Sequence, residues 1–145
     1  MKATTWFRIS AVILVLFAVG HTIGFMGFRG LGAESEAVRA QMDAVRFATQ
    51  PGGPANFTFG GFYVGFGLFN TAFYVFAAWV AWRLGAMARR GSPDVAALGW
   101  PMVALMIVSA ALAIKYFFTP PIVLSVLAAV CLAVGTWLGR KTSAG

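Results

Sequence analysis

The sequence predicts an all-α fold: a four-helix transmembrane bundle with both termini cytoplasmic and a short amphipathic outer segment between spans one and two. Three observations predict it. Apolar runs fall at about residues 5–28, 57–82, 95–118 and 121–138. Each is long enough, at ~1.5 Å per helical residue, to cross a hydrocarbon core of ~30 Å. Basic residues divide unevenly between the two sides these runs define. With the N-terminus inside, Lys2, Arg8, Arg83, Arg89, Arg90, Arg140 and Lys141 lie inside with one acid, Asp94. Arg29, Arg39, Arg46 and Lys115 lie outside with Glu34, Glu36 and Asp43. The net charges are +6 and +1, which is the positive-inside bias for N-in and C-in. Finally, Trp6, Trp79, Trp82, Trp100 and Trp137 all fall at the inner boundary, where an indole is half apolar and its N–H stays wet.

Composition sets the outer limits. Of 145 residues, 60% are hydrophobic and 10% charged, which leaves no room for a separate soluble domain. The chain is therefore expected to be a single integral membrane domain. The net charge of +7 reads as topology rather than nucleic-acid binding. The first run has a signal-like start at Lys2 and Arg8, but apolar residues continue through Phe28, so an uncleaved span is expected. Cys131 lies inside span four and reads as a small buried apolar residue.

Span one leaves through the glycine-rich stretch 24–32. Residues 33–48 then have helical composition, with Val38, Met42 and Val45 on one face and Glu34, Arg39, Asp43 and Arg46 on the other. A short helix lying in the interface or capping the bundle is expected. Pro51-Gly52-Gly53-Pro54 ends it and returns the chain to span two. Ser92 is a plausible N-cap for span three, with Pro93 at its first position. Pro101 either kinks span three or marks a start near Trp100. Thr119-Pro120-Pro121 forms a tight outer turn, with Pro121 opening span four. Gly20, Gly24 and Gly27 in span one, and Gly61 and Gly65 in span two, are spaced for close helix packing, as are Gly135 and Gly139 in span four.

Few residues carry chemistry. His21 is the only histidine and lies deep in span one, where an ionisable group is costly and reads by default as a functional residue. It could bind a ligand or relay a proton; the competing reading is a structural histidine bonded to a neighbouring helix. Asn56, Tyr63, Asn70 and Tyr74 share a face of span two. Tyr63 and His21 lie at similar depth, Ser109 falls near the same level, and Lys115 and Tyr116 lie closer to the outer surface. A candidate site for catalysis would use His21, Tyr63 and Asn70; a ligand site would add Ser109, Lys115 and Tyr116. The competing readings are interhelical hydrogen bonds and a snorkelling lysine. No metal is expected, because one histidine has no cysteine or carboxylate within a span to help it. Haem is not expected either: Met106 could pair with His21, but Met at helical spacing usually fills packing gaps, and there is no Cys-x-x-Cys-His. The chain lacks a phosphate-binding loop, and no span holds an acid for a coupled transporter. Phe57, Phe59, Phe62, Phe66, Phe69, Phe73 and Phe76 recur on more than one face, so some should meet lipid, another protein or a lipophilic guest such as a quinone or carotenoid.

Gly20-His21-Thr22-Ile23-Gly24, Phe62-Tyr63-Val64-Gly65-Phe66-Gly67 and Lys115-Tyr116-Phe117-Phe118-Thr119-Pro120-Pro121 together make the chain resemble small, functionally uncharacterised four-span proteins of bacterial membranes. The resemblance covers nearly the whole chain, implies a bacterial cytoplasmic membrane, and carries no activity with it. The expected role is a non-catalytic accessory subunit that packs against a larger membrane complex or its lipids and pigments, or that self-associates. The alternative is a small membrane enzyme or binder acting on a lipophilic molecule around His21. A third, weaker reading is a homo-oligomeric channel.

Overall fold

The computed structural model describes residues 1–26 and 32–142. Four helices are long and apolar enough to cross a membrane: α1 (Ala3–Met26), α3 (Phe59–Arg89), α4 (Val95–Tyr116) and α5 (Thr119–Thr142). They pack as a bundle. Between α1 and α3 lie a short helix, α2 (Ala33–Ala44), and a two-stranded ribbon, β1 (Arg46–Phe47) and β2 (Phe57–Thr58). Span one is helical through Met26; Gly27 and Phe28 lie outside the described residues.

Local chemistry explains the boundaries that the apolar runs left open. Thr58 Oγ1 accepts a hydrogen bond from the Gly61 N–H at 3.0 Å and caps α3, so the helix starts at Phe59 rather than Phe57. At its other end α3 runs seven residues past Trp82. It stops where Gly91 takes a φ of +69°, and the Ser92 N–H reaches the Met87 carbonyl at 3.1 Å. The Gly91 N–H meets the Ala88 carbonyl at 3.3 Å, which completes a Schellman end. The residue that flanks α4 is Asp94, not Ser92. Ser92 Oγ instead accepts from the Asp94 N–H at 3.4 Å, inside the turn. Pro101 sits within α4, which begins at Val95, so a start near Trp100 is excluded. The last turn falls at Phe117 and Phe118, and Thr119, Pro120 and Pro121 form the first turn of α5, where a missing N–H costs nothing. The short helix α2 also stops earlier than expected. Its chain becomes extended at Val45, and Arg46 and Phe47 pair antiparallel with Thr58 and Phe57. The Pro51-Gly52 pair turns the loop: Gly52 has a φ of +74° and the Gly53 N–H bonds the Gln50 carbonyl at 3.0 Å.

The chain divides into two compact units, Met1–Phe17 with Phe73–Gly145, and Ala18–Ala72. The first holds a complete four-helix packing. Phe7 of α1 is fully buried between Gly85 of α3 and Gly135 of α5. A Cβ on Gly85 would stand 3.4 Å from Phe7 Cβ, and one on Gly135 would stand 3.2 Å from its ring. Gly99 of α4 lies against Thr136 of α5, and Gly139 of α5 against Val95 of α4. The starts of α1 and α4 therefore meet the ends of α3 and α5. Phe17 and Tyr74 stack at 4.0 Å farther along α1 and α3. Leu14, Leu84, Met106 and Leu132 fill the interior, and Cys131 is buried as expected for a small apolar residue.

Gly99→Ala is expected to destabilise the protein by about 1–3 kcal/mol, because the new methyl would overlap the fully buried Thr136 side chain. Gly65→Ala should be neutral or stabilising by up to about 1 kcal/mol, since a Cβ there meets nothing within 4 Å. Detergent unfolding curves of the two variants against the parent would check this; equal shifts would refute it.

Candidate functional site

Within the unit Ala18–Ala72, polar side chains join α1, α2 and α3. His21 is half-buried, and its Nε2 lies 3.2 Å from the Gly67 carbonyl. A carbonyl only accepts, so this nitrogen is the one that carries the proton. Gly67 permits a second contact, since a Cβ there would stand 2.8 Å from the Phe25 ring. Phe25 in turn lies 5.2 Å from the His21 ring and meets Tyr63 edge-on at 6.4 Å. One turn along, the hydroxyls of Thr22 and Thr71 lie 2.8 Å apart. Thr22 also reaches the Ala18 carbonyl at 2.8 Å, and Thr71 the Gly67 carbonyl at 3.1 Å. Two hydroxyl protons thus serve three contacts, and none leaves the helix pair.

Arg39 of α2 completes the group. It is only 8% exposed, and its guanidinium lies 5.5 Å from the centre of the Tyr63 ring. One terminal nitrogen donates to the Gly60 carbonyl at 3.2 Å, and Nε stands 3.4 Å from Asp43 Oδ1. On the apolar face of α2, Val38 and Val45 are exposed and Met42 is half-buried, and Arg39 is the buried side chain of the helix. The planar guanidinium explains its burial, because it finds a carbonyl, a carboxylate and an aromatic face together.

The expected polar cluster is only partly assembled. His21 and Tyr63 are linked through Phe25. Asn70 is half-buried, and among the described residues its amide makes no hydrogen bond. Ser109, Lys115 and Tyr116 belong to the other unit and are engaged locally. Ser109 Oγ donates to the Leu105 carbonyl of its own helix at 2.9 Å, and Lys115 Nζ lies 5.1 Å from the ring of exposed Tyr116. Gly20, Gly24 and Gly65 are exposed with nothing within 4 Å of a built Cβ among the described residues, and Gly61 meets only Thr58. Gly27 lies outside the described residues. The sequence reading missed the Thr22–Thr71 contact and the Arg39–Tyr63 contact. The Thr22 signal was present, between His21 and Gly24, but its partner forty-nine positions on carried no pattern to find it by.

The second candidate feature is aromatic. Phe59, Phe62, Phe66 and Phe69 are exposed on α3, Phe69 by 74%, and the same rhythm continues to half-buried Phe73 and exposed Phe76. The steps of three and four confine these six rings to a stripe of roughly 100° at 3.6 residues per turn. They share one face, contrary to the sequence reading that scattered them. Phe47 of the ribbon packs onto this stripe, 5.0 Å from Phe59 and 6.3 Å from Phe62.

Comparison with protein-family models, curated proteins and solved structures finds no match.

A double-mutant cycle of Thr22→Val and Thr71→Val should give a coupling of about 0.6 kcal/mol and at most about 1.7 kcal/mol. Unfolding in detergent measures it; zero coupling would remove the hydroxyl pair as a staple. Arg39→Ala should free α2, raising hydrogen exchange across Ala33–Ala44 while leaving α4 and α5 protected.

Proposed function

We propose that this four-span membrane protein is a non-catalytic accessory subunit that docks on a larger membrane complex through the phenylalanine stripe of α3. The observation that carries the reading is the spacing. Lipid solvates any apolar surface and imposes no period. A second helix crossing at about +20° does impose one, the alternation of three and four residues that knobs-into-holes packing requires. Phe59, Phe62, Phe66, Phe69, Phe73 and Phe76 follow it, on a face that four of them leave largely open. The outward residues of α4, such as Ile107, Val108, Leu112 and Ile114, are aliphatic and suit lipid.

His21 supports the same reading. Its Nε2 serves a helix-to-helix hydrogen bond, and the hydroxyls of Thr22 and Thr71 share one more, as expected of packing polar groups rather than a reacting centre. For orientation, the ends holding Lys2, Arg8, Arg83, Arg89 and Arg140 are assigned to the cytoplasm by the positive-inside rule, with both termini there.

Extraction from native membranes in mild detergent should give co-migration with a larger assembly. A photo-crosslinking residue at Phe66 or Phe69 should capture a protein partner, whereas one at Ile107 should not. Phe66→Ala with Phe69→Ala should abolish co-migration without loss of helical signal. A lone particle from native membranes, uncrosslinked at both stripe positions, would overturn the proposal.

A further inference from the structure

An apolar groove of about 370 Å³ lies between α1 and α3 in the unit Met1–Phe17 with Phe73–Gly145. Its floor is Ala11 and Ala78, both buried. Its walls are Val12, Val15 and Leu16 on one helix and Val75, Trp79 and Trp82 on the other, all exposed. The small floor residues create it. Where Phe7 meets Gly85 the two helices close tightly, and one turn farther along α1 only alanine methyls separate the walls. The volume is within the range of roughly 300–1,000 Å³ typical of ligand sites. From Val75 to Trp82 the groove follows about 10 Å of helix at ~1.5 Å per residue. Its lining is apolar throughout.

One end is charged. Arg8 lies one turn before Val12 on the groove face of α1, and its guanidinium stands 5.0 Å from the centre of the Trp82 ring. The arginine stem runs along Gly85, whose built Cβ would stand 3.9 Å from Arg8 Cγ, so the head is directed to the Trp82 end rather than away from it. Arg83, Arg89 and Lys2 are exposed on the same helix ends, and no acid lies in α1 or α3. An apolar trench that opens under a cation and an indole matches an amphiphile with an apolar tail and an anionic head. Quinones and carotenoids lack that charge.

We infer that this groove is a binding site for a phospholipid with an anionic headgroup, its acyl chain between Val12, Val15, Val75 and Trp79 and the net negative charge of its headgroup facing Arg8 beside Trp82. Arg8 supplies the selection by charge, since a cation near a membrane surface contributes about fivefold in affinity for anionic lipid. The groove supplies the residence time, because it holds the chain against two fixed walls. The site is distinct from the α3 phenylalanine stripe and meets it only where Phe76 stacks on Trp79, with 5.8 Å between ring centres.

The test is native mass spectrometry of the detergent-purified full chain, titrated with phosphatidylglycerol and with phosphatidylcholine of identical acyl chains. The parent should retain one phosphatidylglycerol in preference to phosphatidylcholine. Arg8→Ala should reduce phosphatidylglycerol retention about fivefold and leave phosphatidylcholine unchanged, and Arg8→Lys should keep most of the preference. Ala78→Leu, which fills the floor, should release both lipids. Helical signal and monodispersity confirm that each variant is folded, and should Ala78→Leu fail to fold, Ala11→Val fills the same floor with less bulk. Equal retention of the two lipids by the parent, or a preference unchanged in Arg8→Ala, would overturn the inference.

Discussion

The ring of Phe7, seated between two glycines, is the contact on which the four-helix packing turns. In lipid, bringing helices together gains no hydrophobic free energy, because acyl chains are as apolar as the side chains they replace. Association depends on how closely surfaces fit. Gly85 and Gly135 present bare backbone, so one aromatic side chain on α1 reaches both α3 and α5 at van der Waals distance. Gly99 against Thr136 and Gly139 against Val95 repeat the device between α4 and α5. All four contacts lie near the same helix ends. This is why the starts of α1 and α4 lie beside the ends of α3 and α5, and why basic residues and tryptophans far apart in sequence gather at one end of the packing.

The other unit is held differently. Its contacts are polar: His21 to a carbonyl, Thr22 to Thr71, Arg39 to a carbonyl, a carboxylate and a ring. In a low-dielectric surround, a polar group that finds no partner is costly, and the groups here are satisfied mainly by one another or by carbonyls. Hydroxyls that bond the carbonyl four residues back, as Thr22, Thr71 and Ser109 do, need no neighbour at all. Arg39 follows the same logic on a larger scale. Its charge is compensated by Asp43 one turn on, and its remaining surface lies on Tyr63, so burial is tolerated where a lone cation would be expelled.

The four helices were legible because bilayer thickness leaves a long, unambiguous run of apolar residues. Their ends were less so. Thr58 capping α3 and Gly91 closing it are local backbone events that hydropathy averages away. Glycine spacing identified which helices could approach closely but not which face would. Gly20 and Gly65 share the rhythm of packing glycines yet are exposed, whereas Gly67 and Gly85 lie against aromatic side chains. Equal depth was likewise a poor guide to contact: His21 and Tyr63 are linked through Phe25, while Ser109 bonds its own helix. The charged face of α2 was legible, with Arg39 and Asp43 four residues apart on it, but the burial of Arg39 was not, because pattern alone does not show the Tyr63 ring and the Gly60 carbonyl that receive it.

The phase of α3 explains how one helix can carry both proposed contacts. In a regular helix of 3.6 residues per turn, Phe73 and Phe76 project about 120° away from Val75, Trp79 and Trp82. One face is aromatic, periodic and uncharged along its length. The other is a trench that ends at Arg8. A partner helix needs a repeating set of knobs and no charge in the seam, because a buried unpaired cation would cost more than the packing returns. A lipid needs no repeat, but it does need a cation at headgroup level and a chain-wide space below it. The two requirements exclude each other on one face and call for different ones. With a phospholipid filling the α1–α3 trench, the surface beside α3 stays smooth without blocking the stripe, so lipid binding and subunit docking are compatible uses of the same helix.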